Sequence, residues 1–442
     1  MSRSLSPARI LQRIVEVRDE EVRALLWSFA YFFCLLCAYY ILRPLRDEMG
    51  IAGGVRNLHW LFTATFVTML AAVPLYGAAV ARMPRARFIP MVYRFFIANI
   101  LIFWALLTLD VAPVHVARIF FVWISVFNLF VISVFWSFMA DLFRSEQGKR
   151  LFGFIAAGGS AGALLGPSVT VALAAPLGPV NLLLISALLL ELAVVCARRL
   201  QRISEETAPP AAEDAAAAPP CPAPARCDRD RALGGGMLNG ILLILRSPYL
   251  AGICLWVFLL TLAGTFLYFQ QAEIVRDAFA DPADRVRIFA AIDLAVGLLT
   301  VAVQLAATGR LITRFGVGPA AAFLPLIAAL GFLALAIAPV LSAVIAFQAA
   351  QRAANFAISN PAREILFTVV GREQKYKSKN VIDTVVFRGG DAVSGWMFAG
   401  LRGMGLELAA IALLAVPVMV LWLAVALLLG RTQERLAAAS TG

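Results

Sequence analysis

Residues 151–190 carry no charge at all. A helix that crosses a bilayer needs about 20 apolar residues. This run is too long for one crossing, and Pro176 and Pro179 divide it into two. Apolar runs of crossing length recur at 24–42, 57–81, 88–109 and 119–140 before it, and near 247–270, 288–309, 317–338, 341–368, 380–401 and 408–430 after it. With no water in hydrocarbon to satisfy a backbone, such runs must be helical. The expected fold is an all-α polytopic membrane protein with about 12 transmembrane helices. Composition agrees. Of 442 residues, 61% are hydrophobic and 15% charged, and the mean hydropathy is +0.84. That leaves too few charges to cover a soluble surface.

The runs fall into two groups of six. Residues 1–21 form a basic amphipathic segment, with Ile10, Leu11, Ile14 and Val15 able to share a face. The first half covers 22–197 and the second 247–430, with a tail at 431–442. Between the halves, 198–246 is rich in Pro, Ala and Gly, which makes it a flexible linker without a core. Net charge is +11, and most of the 38 lysines and arginines lie in the N-terminal segment, the linker, the tail and the loops on the same side. That asymmetry places both termini and the linker in the cytoplasm. It also explains the basic balance without nucleic acid. The halves repeat at an offset near 230. Arg46-Asp47 answers Arg276-Asp277, Gly77 and Arg82 answer Gly309 and Arg314, and Glu146-Gln147 answers Glu373-Gln374. A parallel repeat of two six-helix halves resembles the major facilitator superfamily, as does the loop GRLITRFG (309–316).

Chemistry must come from polar residues inside the spans, where ionisable groups are costly and usually functional. Arg43, Arg46 and Asp47 close the first span, Arg94 lies in the third, and Asn128 in the fourth. Arg352 is deep in the tenth, with Asn355 three residues on and able to share its face. Arg363, Glu364, Lys375, Lys377, Lys379, Asp383, Arg388 and Asp391 crowd the tenth and eleventh spans and the turn between them. Glu364, Asp383, Asp391, Asp293 and Glu191 are the acidic candidates for coupling or gating. The bias is cationic and suits an anion, because guanidinium binds phosphate bidentately. Small residues at four-residue spacing (Gly158, Gly162 and Gly166; Gly395, Ala399 and Gly403) predict close helix packing. No dinucleotide or phosphate-loop glycine pattern, nucleophile elbow or metal-ligand spacing occurs, so neither an enzyme nor a cofactor or metal is expected. The cysteines form no disulfide framework.

YYILRPLRD (39–47) and VFWSFMADLFRSEQGKRLFGFIAAGGSAG (134–162) resemble the ATP/ADP translocase family. Pro361, Arg363 and Glu364 are similar to its P-x-K-E, and Lys375, Lys377 and Lys379 to its spaced lysines. Ile382-Asp383 matches the start of its I-D-V motif. Arginine stands for lysine at positions 46 and 363. The resemblance implies nucleotide exchange, with Arg46, Arg363, Glu364, Lys379 and Asp383 in binding or coupling.

The expectation is a monomeric secondary transporter of the bacterial inner membrane. It would move a small anionic solute by alternating access, and in the narrower reading that solute is a nucleotide. Its partners are that solute and the lipid bilayer. The alternatives are a proton-coupled carrier of another organic anion and a non-transporting sensor or scaffold. The charge asymmetry predicts that Cys221 and Cys227 resist an impermeant thiol reagent in intact cells and react after lysis. Full reaction in intact cells reverses the topology.

Overall fold

The computed structural model describes residues 17–82, 85–143, 145–207, 237–308, 316–371, 374, 378–379 and 381–441. Twelve long helical segments account for most of them. In the first half these are α1 (Asp19–Ala52), α2 (Leu58–Arg82), α3 (Arg85–Thr108), α4 (Pro113–Leu142), α5 (Ser145–Leu177) and α6 (Leu182–Thr207). In the second half α7 is Pro248–Ala278. α8 is Pro282–Val303, continued by a π turn at Gln304–Thr308. α9 is Val317–Ile337. α10 runs from Leu341–Ala354 through a π turn, Asn355–Ser359, into Asn360–Leu366. α11 is the π turn Ile382–Val386 with Phe387–Gly403, and α12 is Leu408–Thr441. Eight of them are long and apolar enough to cross a membrane by length and composition. The other four are α2, α6, α10 and α11. Charges interrupt α6 at Glu191, Arg198 and Arg199, and π turns and charges interrupt α10 and α11.

Helix extends past the expected spans at three boundaries. The segment taken as linker from residue 198 remains helical to Thr207, and Met237–Arg246 forms a ten-residue helix before α7. Both stretches place apolar residues at helical spacing, which the Pro- and Ala-rich middle does not. Residues 431–441, taken as a tail, continue α12. The amphipathic segment lies largely outside the described residues, as do 208–236, 309–315 and the lysines Lys375 and Lys377.

Within the first half, α1 packs along α5, α6 and α4, and α3 packs on α6. In the second half, α9 packs along α12, and α7 on α11 and α12. Across the halves, α5 meets α8, α2 meets α11, and α1 meets α8 and α7. The buried apolar residues form two cores that follow the halves. They cross only where Ile51, Val55, Leu58, Leu61 and Phe121 join the second-half core, and where Val286 joins the first-half core. Those residues lie at the end of α1, the starts of α2, α4 and α8, and the turn between α1 and α2. They sit opposite the termini, at the loop face of the bundle; the other end is its termini face. The halves are therefore sealed together by apolar packing at the loop face.

The small residues of α5 work within one half. A Cβ at Gly158 would stand 2.6 Å from the Phe29 carbonyl oxygen, and one at Gly166 would stand 2.8 Å from that of Cys37. At Gly162 it would run into Phe33 and Cys37 backbone atoms. In α11 the spacing does something else. Gly395 lets α11 approach His59 of α2 across the seam, while Gly403 has open space around it. Gly162→Leu must push α1 and α5 apart. Overpacking costs typically about 1–3 kcal/mol, and more where the obstacle is backbone. The expected result is a large fall in the unfolding temperature of the purified protein, with Gly400→Ala, where nothing lies in the way, near wild type.

Candidate functional site

Pro44 lies inside α1. It has no N–H to donate and clashes with the carbonyl four residues earlier, and the charged run Arg43 to Glu48 surrounds it. Helical spacing then sends these side chains to different neighbours. Arg43 Nη1 lies 3.6 Å from Asp293 Oδ1 on α8. Arg352 Nη1 on α10 donates to the same oxygen at 2.6 Å. One carboxylate, 2% exposed, therefore sits between two guanidiniums from opposite halves. Its other oxygen, Oδ2, is buried and has no hydrogen-bond partner.

Arg46 faces the other way. Its guanidinium stacks over Phe121, 4.8 Å from the ring centroid, and over Tyr268 at 5.7 Å, a favourable electrostatic contact in a desolvated place. Its Nε is 3.2 Å from Asp47 Oδ1, but the angle is too poor for a hydrogen bond. Asp47 is held instead by Tyr268, whose hydroxyl donates to Oδ1 at 3.0 Å across the seam. Arg388 Nη1 lies 3.7 Å from Asp391 Oδ2, and Thr265 donates to Asp391 Oδ1 at 3.3 Å.

Two cavities open between these groups. One, about 240 Å³, is bounded by α1, α5, α8 and α10, with Tyr40, Ser160, Asp293, Thr300, Gln304 and Arg352 among its walls. The other, about 110 Å³, is lined by Arg46, Thr65, Ser125, Arg388, Asp391 and three phenylalanines of α2 and α4. Arg43, Arg46, Arg352 and Arg388 face Asp47, Asp293 and Asp391, four cations to three anions. A larger cavity of about 810 Å³ between α2, α3 and α4 has almost wholly apolar walls, including the exposed Phe95 and Ile119. It lies apart from the charged cluster and reads as a bilayer-facing groove.

Two polar links not expected from the sequence close the loop-face side. Arg285 at the start of α8 donates to both oxygens of Glu48 at 2.7 Å. Glu48 is 2% exposed and Arg285 12%. Trp396 Nε1 donates to Thr63 at 3.1 Å between α11 and α2. A signal for the first was present. Glu48 directly follows Arg46-Asp47 on a helix end, and Arg285 stands in the first turn of the helix that supplies Asp293.

Other predicted residues fall elsewhere. Arg94 pairs with Glu191 at 2.9 Å, both about half exposed, between α3 and α6. Two charges in the first half's own helices neutralise each other there, apart from both cavities, so neither stands at the charged cluster. Asn128 lines neither cavity, and its side-chain oxygen is buried without a partner. Asn355 does not join Arg352 on the cavity wall; Phe356 does. The π turn that begins at Asn355 breaks the helical spacing on which the shared face depended. At the termini-face ends of α10 and α11, Lys379 pairs with Glu364 at 2.6 Å and Arg363 with Asp383 at 3.3 Å. These four join the tenth and eleventh helices as a charged rim.

The sequence model described as Major Facilitator Superfamily matches residues 24–358. No curated protein matches the chain at the sequence level. Solved structures resemble it over almost their whole length. The nucleoside transporter NupG aligns at 13% identity with a TM-score of 0.59, over 96% of this chain and 98% of that one. A POT family transporter bound to 5-aminolevulinic acid aligns at 12% identity with a TM-score of 0.62, over 93% and 96%. A bacterial homologue of the iron transporter ferroportin, in an inward-facing state, aligns at 12% identity with a TM-score of 0.61, over 91% and 98%.

The shared carboxylate predicts a non-additive pair. Arg352→Gln leaves Asp293 buried with only the more distant Arg43, at a cost of about 1–3 kcal/mol. Adding Asp293→Asn removes the orphaned charge. Folded yield should fall in the single variant and recover in the double, while solute binding stays weak in both. Equal yields in the two variants would show that the pair is not coupled.

Proposed function

The chain belongs to the major facilitator superfamily, and on that premise we propose that it is a secondary transporter moving a small anionic solute by alternating access, with nucleotide exchange as the specific reaction. The observation that carries this reading is the cluster of four arginines against three aspartates at the seam. One unmatched guanidinium, and others held by shared or poorly aligned carboxylates, are a receptor for phosphate or carboxylate. The resemblance of YYILRPLRD and of Pro361–Asp383 to nucleotide exchangers supports the narrower choice. A nucleoside carrier among the structural neighbours is compatible with it and carries less weight. The protein acts as a monomer in a bacterial inner membrane, its termini face toward the cytoplasm and the loop face closed.

An exchanger must reorient readily only when loaded. In this arrangement Asp293 holds Arg43 and Arg352 across the seam, and Asp391 lies beside Arg388. An arriving anion competes for the guanidiniums and releases the carboxylates. Ligand moves such an equilibrium only through differential affinity, and a shift from 1:99 to 99:1 takes roughly 5.5 kcal/mol. Several charge-assisted contacts at about 1.5–3 kcal/mol each supply it. Lys379–Glu364 and Arg363–Asp383 then act as the rim that rearranges when the termini face closes.

One observation favours a proton-coupled carrier instead. Asp293 is a buried carboxylate on a cavity wall with one oxygen unpartnered, and buried acidic groups inside spans serve as proton relays in transporters. Proteoliposomes separate the two readings. Exchange predicts that uptake of labelled nucleotide requires unlabelled nucleotide inside and persists with a protonophore. Uptake into empty vesicles driven by an imposed pH gradient overturns exchange in favour of symport.

A further inference from the structure

A second charged pocket lies on the loop face, outside the central cluster. It has a volume of about 450 Å³, within the range of small-molecule sites. It straddles the seam. Val55, Arg56 and His59 come from the first half, and Phe269, Glu273, Arg276, Phe398 and Arg402 from the ends of α7 and α11. Gly405 closes it in a left-handed turn, with φ of 86°, that few other residues could adopt.

Its charges divide by how far they are committed. Arg402 donates from Nε and Nη2 to the two oxygens of Glu273, at 3.2 and 2.7 Å, and from Nη1 to the Leu406 carbonyl at 2.8 Å. That pair is neutral and fixes the wall. Arg276 gives only its Nε, to Asp277 at 2.8 Å, and Asp277 is 63% exposed. Arg56 is exposed and makes no ion pair among the described residues. The donors left over are the Arg276 terminal nitrogens and the whole Arg56 guanidinium, one from each half. Below them lie the buried rings of Phe269 and Phe398 and the half-buried His59. The geometry points to an anion site on the loop face that takes a phosphate-bearing ligand with an apolar portion, bridging Arg56 and Arg276 and holding this face shut while occupied. The chemistry is common to a soluble organic phosphate and a phospholipid headgroup. It does not rest on the proposed cargo, because none of these residues lines the central cavities.

The test uses the full chain carrying Asp293→Asn with Arg352→Gln, the combination expected to keep its folded yield while the central cluster binds solute weakly, in phosphatidylcholine nanodiscs titrated with inorganic pyrophosphate by calorimetry. Saturable binding is expected. Arg56→Gln with Arg276→Gln should weaken it about tenfold or more, while Arg56→Lys with Arg276→Lys should retain most of it, because charge survives and only fork geometry is lost. Discs of phosphatidylglycerol identify the source. Weaker pyrophosphate binding there assigns the site to a headgroup, and unchanged binding assigns it to a soluble anion; both outcomes support the site. No binding in either lipid, or binding indifferent to Arg56 and Arg276, overturns it.

Discussion

The pair Arg285–Glu48 joins the two halves, with Glu48 buried and Arg285 nearly so. A buried ion pair adds little net stability, since desolvation offsets most of the attraction, but removing one partner is costly. That makes it better suited to specifying an arrangement than to strengthening one. Here it specifies a closed loop face. It lies beside the apolar seal of Ile51, Val55, Leu58, Phe121 and Ile274, and at the same end of α8 that leads to Asp293. The loop-face pair and the central Arg43–Asp293 contact therefore stand on the same two helices, α1 and α8. Glu48 is five residues beyond Arg43, and Arg285 eight before Asp293.

The halves are not equivalent despite their repeat. Among the described residues, π turns occur in α8, α10 and α11 and in none of the first-half helices. Each lies close to a charged residue of the site or its rim. Asn355–Ser359 follows Arg352, Ile382–Val386 contains Asp383, and Gln304–Thr308 begins at a wall of the 240 Å³ cavity that Arg352 and Asp293 line. Single π turns widen a helix locally and frequently mark functional positions. Close backbone packing at glycine occurs in both halves, α1 against Gly158, Gly162 and Gly166 of α5, and Gly318 of α9 against Gly430 of α12.

Much of this was legible in the sequence. The spans, their two groups and the charged tenth and eleventh helices follow from run length and from the cost of charge in hydrocarbon. Which charge meets which does not follow. Arg46-Asp47 and Arg276-Asp277 are the same dipeptide at the same place in the repeat. One stacks on Phe121 and Tyr268 in the seam, and the other lies open at the loop face. Arg94 and Arg352 both read as arginines inside spans. One meets Glu191 within its own half, while the other shares Asp293 with Arg43 across the seam. Partner choice depends on helix rotation and on bulges such as the one at Asn355, and a single sequence carries neither. Glu48 and Arg285 escaped notice because each stands near a helix end, where a charge is ordinarily solvated.

The central claim is that the halves rock about a cluster whose loop-face side is latched by Glu48 and Arg285. A distance across that face tests it most directly. Ala52 at the end of α1 and Met404 after α11 are both exposed there and belong to opposite halves. In a chain whose native cysteines are replaced by serine or alanine, spin labels at Ala52→Cys and Met404→Cys should give one short distance without solute. A second, longer distance should grow when Glu48→Gln and Arg285→Gln remove the latch. A single unchanged distance in the latch variant, and again with saturating nucleotide, would contradict it.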